Sequence, residues 1–150
     1  MKTILIIGST GYIGKNLKKN LKNDYKLICP SRKSGFDIAN FKKLNKVLNK
    51  NIDIIINLSG QISSKSTLVK TILKGNQNII RIIKNAKKPM VYYISSTLVY
   101  GYSSKSLSEK SLTKPVSYYA KLKLKGENLF YASNLNYKIL RLSNVYSNKK

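Results

Sequence analysis

Tyr119 and Lys123 stand four apart in Tyr119-Ala120-Lys121-Leu122-Lys123, so on a helix they share one face. A phenol beside an ammonium can transfer protons. With a pKa near ~10 the phenol is a poor base at neutral pH, and a neighbouring cation favours its ionised form. Ser96 ends an apolar run that begins at Met90, and its hydroxyl could hold a substrate oxygen and pass a proton on. Alone, the Tyr119/Lys123 spacing is a weak signal, because the chain has 11 tyrosines and 29 Lys+Arg. It gains weight from a strand ending in Ser95-Ser96 and from a glycine-rich turn far upstream. Cys29 reads as core rather than nucleophile, since it lies in a strand and no histidine exists to activate it.

The turn is Gly8-Ser9-Thr10-Gly11-Tyr12-Ile13-Gly14. The apolar run Thr3-Ile4-Leu5-Ile6-Ile7 precedes it as a buried parallel strand would, and an amphipathic stretch from Tyr12 to Leu21 follows. Glycines between a strand and a helix have a phosphate-binding rationale. Gly8 allows the tight turn, Gly11 lets the backbone approach a diphosphate, and Gly14 lets helix and strand pack closely. Thr10, Tyr12 and Ile13 complete the candidate cradle, whose helix N-terminus would hold the phosphates. The ligand this implies is a dinucleotide, NAD or NADP. An oxidised nicotinamide would add to Lys123 in favouring phenolate, and Lys123 would also reach the nicotinamide ribose.

The remaining elements follow in order. Tyr25 to Cys29 reads as a second strand, ended by Pro30. No acid follows it to take the ribose hydroxyls. Arg32 stands there instead, which favours NADP through a 2′-phosphate; the alternative is a solvated surface arginine. Phe36-Asp37-Ile38 comes before a lysine-rich helix from about Asn40 to Lys50. Asp37 either caps that helix or accepts from the adenine amino group. Asp53 to Leu58 is a buried strand that runs into Ser59-Gly60, where Leu58, Ser59 and Gly60 could border the cofactor. Ser66 to Lys87 is largely helical, with Gly75 interrupting its middle. Met90 to Ile94 is a strand, Gly101 to Pro115 a polar loop, Ser117 to Ser133 a helix and Tyr137 to Leu142 a last strand. Strands alternating with helices predict an α/β, doubly wound, Rossmann-like parallel sheet in one domain over residues 1–150.

Composition narrows the class. The formal net charge is +24, from 29 Lys+Arg against 5 Asp+Glu. Lys15, Lys18, Lys19 and Lys22 repeat along one helix, and Lys42, Lys43, Lys46 and Lys50 along another. Lysines spread this way fit solvated helix faces better than a nucleic-acid site. No histidine and one cysteine argue against a transition-metal site and an internal disulfide. No run approaches the ~18 apolar residues of a membrane span, and the short N-terminal run lacks a signal-peptide cleavage pattern. The expectation is a cytoplasmic chain that avoids membranes.

These motifs together resemble the extended short-chain dehydrogenase/reductase family, the NAD-dependent epimerase/dehydratase group that modifies nucleotide sugars. The glycine turn resembles its cofactor turn, Phe36-Asp37-Ile38 its adenine-side aspartate, and Ile55-Ile56-Asn57-Leu58-Ser59-Gly60 the strand beneath the cofactor. Ile94-Ser95-Ser96-Thr97-Leu98-Val99-Tyr100-Gly101 resembles the segment of the catalytic Ser or Thr. Glu109, Pro115, Tyr119 through Lys123, Glu127 and then Arg141-Leu142-Ser143-Asn144-Val145-Tyr146 follow in the family's order. The chain departs from the pattern at Ser59-Gly60, where alanines are usual, at Ile72 and Asn76, where Asn and Thr are usual, and at Ser147, where a glycine is usual.

The resemblance implies Tyr119 as base, Ser96 as relay, Lys123 as ribose anchor, and a homodimer through the helix bearing Tyr119. The family continues past Lys150 with a further strand and a smaller substrate domain, so the expectation is a cofactor-binding domain truncated at its C-terminal end. Thr97-Leu98 replaces the acid pair that elimination would want and weighs against a dehydratase. Alternatives are a noncatalytic module for NADP or nucleic acid, and an inactive remnant.

Overall fold

The computed structural model describes residues 1–60, 64–84 and 89–146. Five strands form one parallel sheet: β1 (Thr3–Ile7), β2 (Lys26–Ile28), β3 (Ile54–Asn57), β4 (Met90–Ser96) and β5 (Tyr137–Leu142), in the order β2-β1-β3-β4-β5. The chain leaves β1 towards β2 on one side and returns to β3 on the other. The strand order therefore reverses between β1 and β3, and a crevice opens beyond their carboxyl ends.

The helices are α1 (Tyr12–Leu21), α2 (Phe41–Leu48), α3 (Lys65–Val69), α4 (Gly75–Ile83) and α5 (Tyr118–Tyr131). Parallel crossovers are right-handed, which puts α1 on one sheet face and α2, α4 and α5 on the other. Packing agrees. The main core joins Leu5, Ile55, Val91 and Tyr93 of the sheet to Leu44, Ile79, Ile83 and Phe130 of those three helices, and takes nothing from α1. On the opposite face Ile4 and Ile6 are buried, while Ile54, Ile56 and Tyr92 are half-buried and Leu140 is 40% exposed.

Several boundaries differ from the sequence reading. β2, α2, β3 and α5 are each shorter, because strand and helix ends lose their ladder partners first. β4 ends at Ser96 as expected, where pairing with Leu142 sustains it. A 3-10 turn then spans Thr97–Tyr100. The long helix expected from Ser66 starts at Lys65 and contains a π-turn, Lys70–Lys74, between α3 and α4. Its expected end at 85–87 lies outside the described residues, as does Ser147. Asp37 does not cap α2. Asn40 does, accepting from Lys43 N–H at 3.0 Å, and Asp37 instead accepts from Ala39 N–H at 2.9 Å.

Candidate active site

The glycine turn joins β1 to α1 as a close-packed elbow. Gly8 adopts φ +86° and lies against Leu58, the residue just after β3. A Cβ on Gly14 would collide with the Gly8 carbonyl and sit 2.6 Å from Ser9 Cα. Only hydrogen fits there, so α1 starts directly beneath the turn with its N–H groups facing the crevice.

Ser117 caps α5 by accepting from Ala120 N–H at 3.1 Å, which sets Tyr119 in the first turn and Lys123 in the second. Tyr119 is half-buried, and burial raises its phenol above the ordinary range. Lys123 Nζ lies 5.7 Å from the Tyr119 ring centre.

Lys123 is only 3% exposed. Its Nζ donates to the carbonyl oxygens of Ile94 at 2.9 Å and Ser59 at 3.2 Å, and lies 5.2 Å from the Tyr93 ring centre. Burial lowers its pKa to about 8, while Glu127 pulls it back up. An ammonium has three N–H donors, so two backbone bonds leave one for a ligand. Gly60, at φ +119°, makes room: a Cβ there would lie 2.9 Å from Nζ.

Ser96 is half-buried and accepts from Leu98 N–H at 3.2 Å. That bond occupies a lone pair and leaves the hydroxyl proton free to donate. Ser95 beside it is buried and donates to Glu127 Oε1.

Two cavities meet at Gly8, Gly11, Leu58 and Gly60. The first, about 410 Å³, brings Tyr12, Ile13 and Gly14 of the cradle together with Ser96, Tyr119 and Lys123. The second, about 250 Å³, holds Thr10, Arg32, Asp37, Ile38 and Ser59. Every site residue expected from sequence borders one of them. Arg32 is exposed, on a 3-10 turn (Arg32–Ser34) locked by a Ser31–Ser34 capping box.

Sequence reasoning missed Thr71 in the second cavity and Leu142, Ser143 and Val145 in the first. The end of the last strand was a usable signal for the latter three. Thr71 sits inside the π-turn, whose one mark in the sequence is the Gly75 that follows it.

The groove fits a dinucleotide on three counts: a close-packed glycine turn at the start of α1, a cavity on either side of it, and a buried ammonium with a donor to spare. The family model for the NAD dependent epimerase/dehydratase family matches residues 4–150.

The chain belongs to this family.

It is similar to an uncharacterised protein of Methanocaldococcus jannaschii, 28% identical over 185 residues, with 97% of this chain and 57% of the relative covered. A dTDP-4-dehydrorhamnose reductase from Clostridium acetobutylicum is 27% identical with TM-score 0.86, covering 99% of this chain and 55% of that one. A UDP-glucuronic acid 4-epimerase from Bacillus cereus, in complex with NAD, is 27% identical with TM-score 0.83, covering 96% and 57%. This epimerase/dehydratase family chain spans a little over half the length of these relatives. None of its described helices is long and apolar enough to cross a membrane.

Proposed function

We propose that residues 1–150 are the cofactor-binding and proton-transfer part of an NAD(P)-dependent oxidoreductase acting on a nucleotide sugar. One observation carries this reading: the cavity that begins at the glycine cradle ends at Ser96, Tyr119 and Lys123.

Gly8, Gly11 and Gly14 would seat the diphosphate of NAD or NADP at the start of α1. Asp37 and Ile38 would border the adenine. Arg32 would pair with a 2′-phosphate, which favours NADP. Lys123 would give its third N–H to the nicotinamide ribose. The bound dinucleotide supplies the hydride chemistry. Tyr119 Oη takes the proton from a sugar hydroxyl as that carbon is oxidised, or returns it on reduction. Ser96 Oγ, its lone pair engaged by Leu98 N–H, donates to the reacting oxygen and holds it within reach of Tyr119. Lys123, ammonium below about pH 8, offsets the charge of the phenolate.

The similar reductase and epimerase are named for dTDP- and UDP-sugars, which supports a nucleotide-sugar substrate. Thr97-Leu98 offers no acid for elimination, so epimerisation or reduction is the favoured reaction. A homodimer through α5 and a cytoplasmic location belong to the same proposal. The test is Tyr119→Phe in the complete or reconstituted protein. Turnover should fall by roughly 10²–10⁴ with dinucleotide affinity unchanged; full activity would contradict the assignment.

A further inference from the structure

Among the described residues, the two charged side chains in the buried interior are Lys123 and Glu127, one turn apart on α5. Lys123 gives its hydrogen bonds to neutral carbonyls of Ser59 and Ile94. A buried ammonium held only by neutral acceptors tends to lose its proton. Glu127 is fully buried in a chain with only 5 acidic residues. Arg141 reaches it from β5, with Nη2 at 2.7 Å from Oε2 and Nε at 3.1 Å from Oε1, while Ser95 of β4 donates to Oε1. One carboxylate thus ties together α5, β4 and β5, one helical turn from Lys123.

We propose that Glu127 is a positioning residue for Lys123: held by Arg141 and Ser95, its carboxylate fixes the turn of α5 that carries Lys123 and supplies the negative charge that keeps an ammonium there. This rests on the ribose-anchor role given to Lys123 above. The other groups facing the pair cannot take over that charge. From β4 come the Tyr93 ring, whose phenol burial pushes far up, and Ser95. From α5 come Tyr119 and, further along, Tyr131, both raised by burial. Tyr100 of the 3-10 turn stacks on Arg141 at 4.7 Å. From the π-turn Ile72 is buried, and Lys70 and Lys74 are exposed.

The test follows the Lys123 titration by NMR of ¹³Cε-lysine-labelled chain, its signal assigned from a Lys123→Arg sample. Wild type should titrate near pH 8. Glu127→Gln should titrate lower, by about half a pH unit or more. If Glu127 served packing alone, its loss would loosen α5 and move Lys123 up towards the ordinary ~10.4; a rise or no change overturns the proposal. NADPH affinity supplies the second readout. In Glu127→Gln it should weaken about two- to threefold more at pH 8.5 than at pH 6.5, where Lys123 is charged in both chains. A loss equal at both pH values contradicts it. Should Glu127→Gln fail to fold, Glu127→Gln with Arg141→Gln leaves no buried ion from the pair and must still lower the Lys123 titration. If neither dinucleotide binds wild type, the ribose-anchor reading falls, while the Lys123 titration still decides the role of Glu127.

Discussion

Lys123 Nζ lies 2.9 Å from the carbonyl oxygen of Ile94, two residues before Ser96. The lysine that would hold the ribose therefore also pins α5 to the carboxyl end of β4. Its position is bought with buried charge, and that charge sets a pH dependence. The native chain holds Lys123 near pKa 8 against 10.5, so between those values the unfolded state binds more protons and stability rises with pH. Tyr93 acts in the opposite sense above pH ~10, because its buried phenol resists ionisation that the unfolded chain allows. From pH 7 to 9.5 the wild type should gain about 2 kcal/mol relative to Lys123→Met in urea unfolding. Parallel profiles would contradict the buried-ammonium picture.

Gly60 faces that same ammonium. Alanine there would have to accept φ +119° and a Cβ 2.9 Å from Nζ. Gly60→Ala should cost about 1–2 kcal/mol in stability, and by pushing Nζ off Ser59 O it should weaken dinucleotide binding. Unchanged melting and affinity would mean that the lysine has room it does not show.

Arg32 stands exposed beside the second cavity on a locked 3-10 turn. A charged hydrogen bond to phosphate contributes about 1.5–3 kcal/mol. Arg32→Ala should therefore weaken NADP binding by roughly 10- to 100-fold in a fluorescence titration and leave NAD binding unchanged. Equal losses for both dinucleotides would remove Arg32 from the 2′-phosphate role.

Local patterns in the chain carry the alternation of strands and helices and the glycine elbow, because each rests on neighbours in sequence. Much of the cavity lining was legible for the same reason: Gly8, Leu58 and Ser96 follow or end strands, where such sheets gather ligands, and Tyr119 and Lys123 share one helix face. Features made by distant pairs were not. The strand order, the Asn57–Asn76 hydrogen bond of 2.7 Å beneath Ser59 and the Glu127–Arg141 pair all depend on tertiary closure. The cap of α2 fell to a local competition. Asp37 and Asn40 are both good caps, and Asp37 was drawn into a turn on Ala39, leaving Asn40 for the helix. The π-turn before Gly75 left only that glycine as a trace. Gly75 packs under Ile38, whose side chain lies 3.0 Å from where a Cβ would be.

The most direct test of the account is thermal unfolding of the purified chain with NAD and with NADP in turn. Ligand at ~100 times its dissociation constant adds about 2.7 kcal/mol, which for a domain of this size raises the midpoint by roughly 5–10 °C. A cooperative transition raised by a dinucleotide, NADP more than NAD, is the expected result. A transition that neither dinucleotide moves would contradict the central claim that the groove from Gly8 to Lys123 is a dinucleotide site.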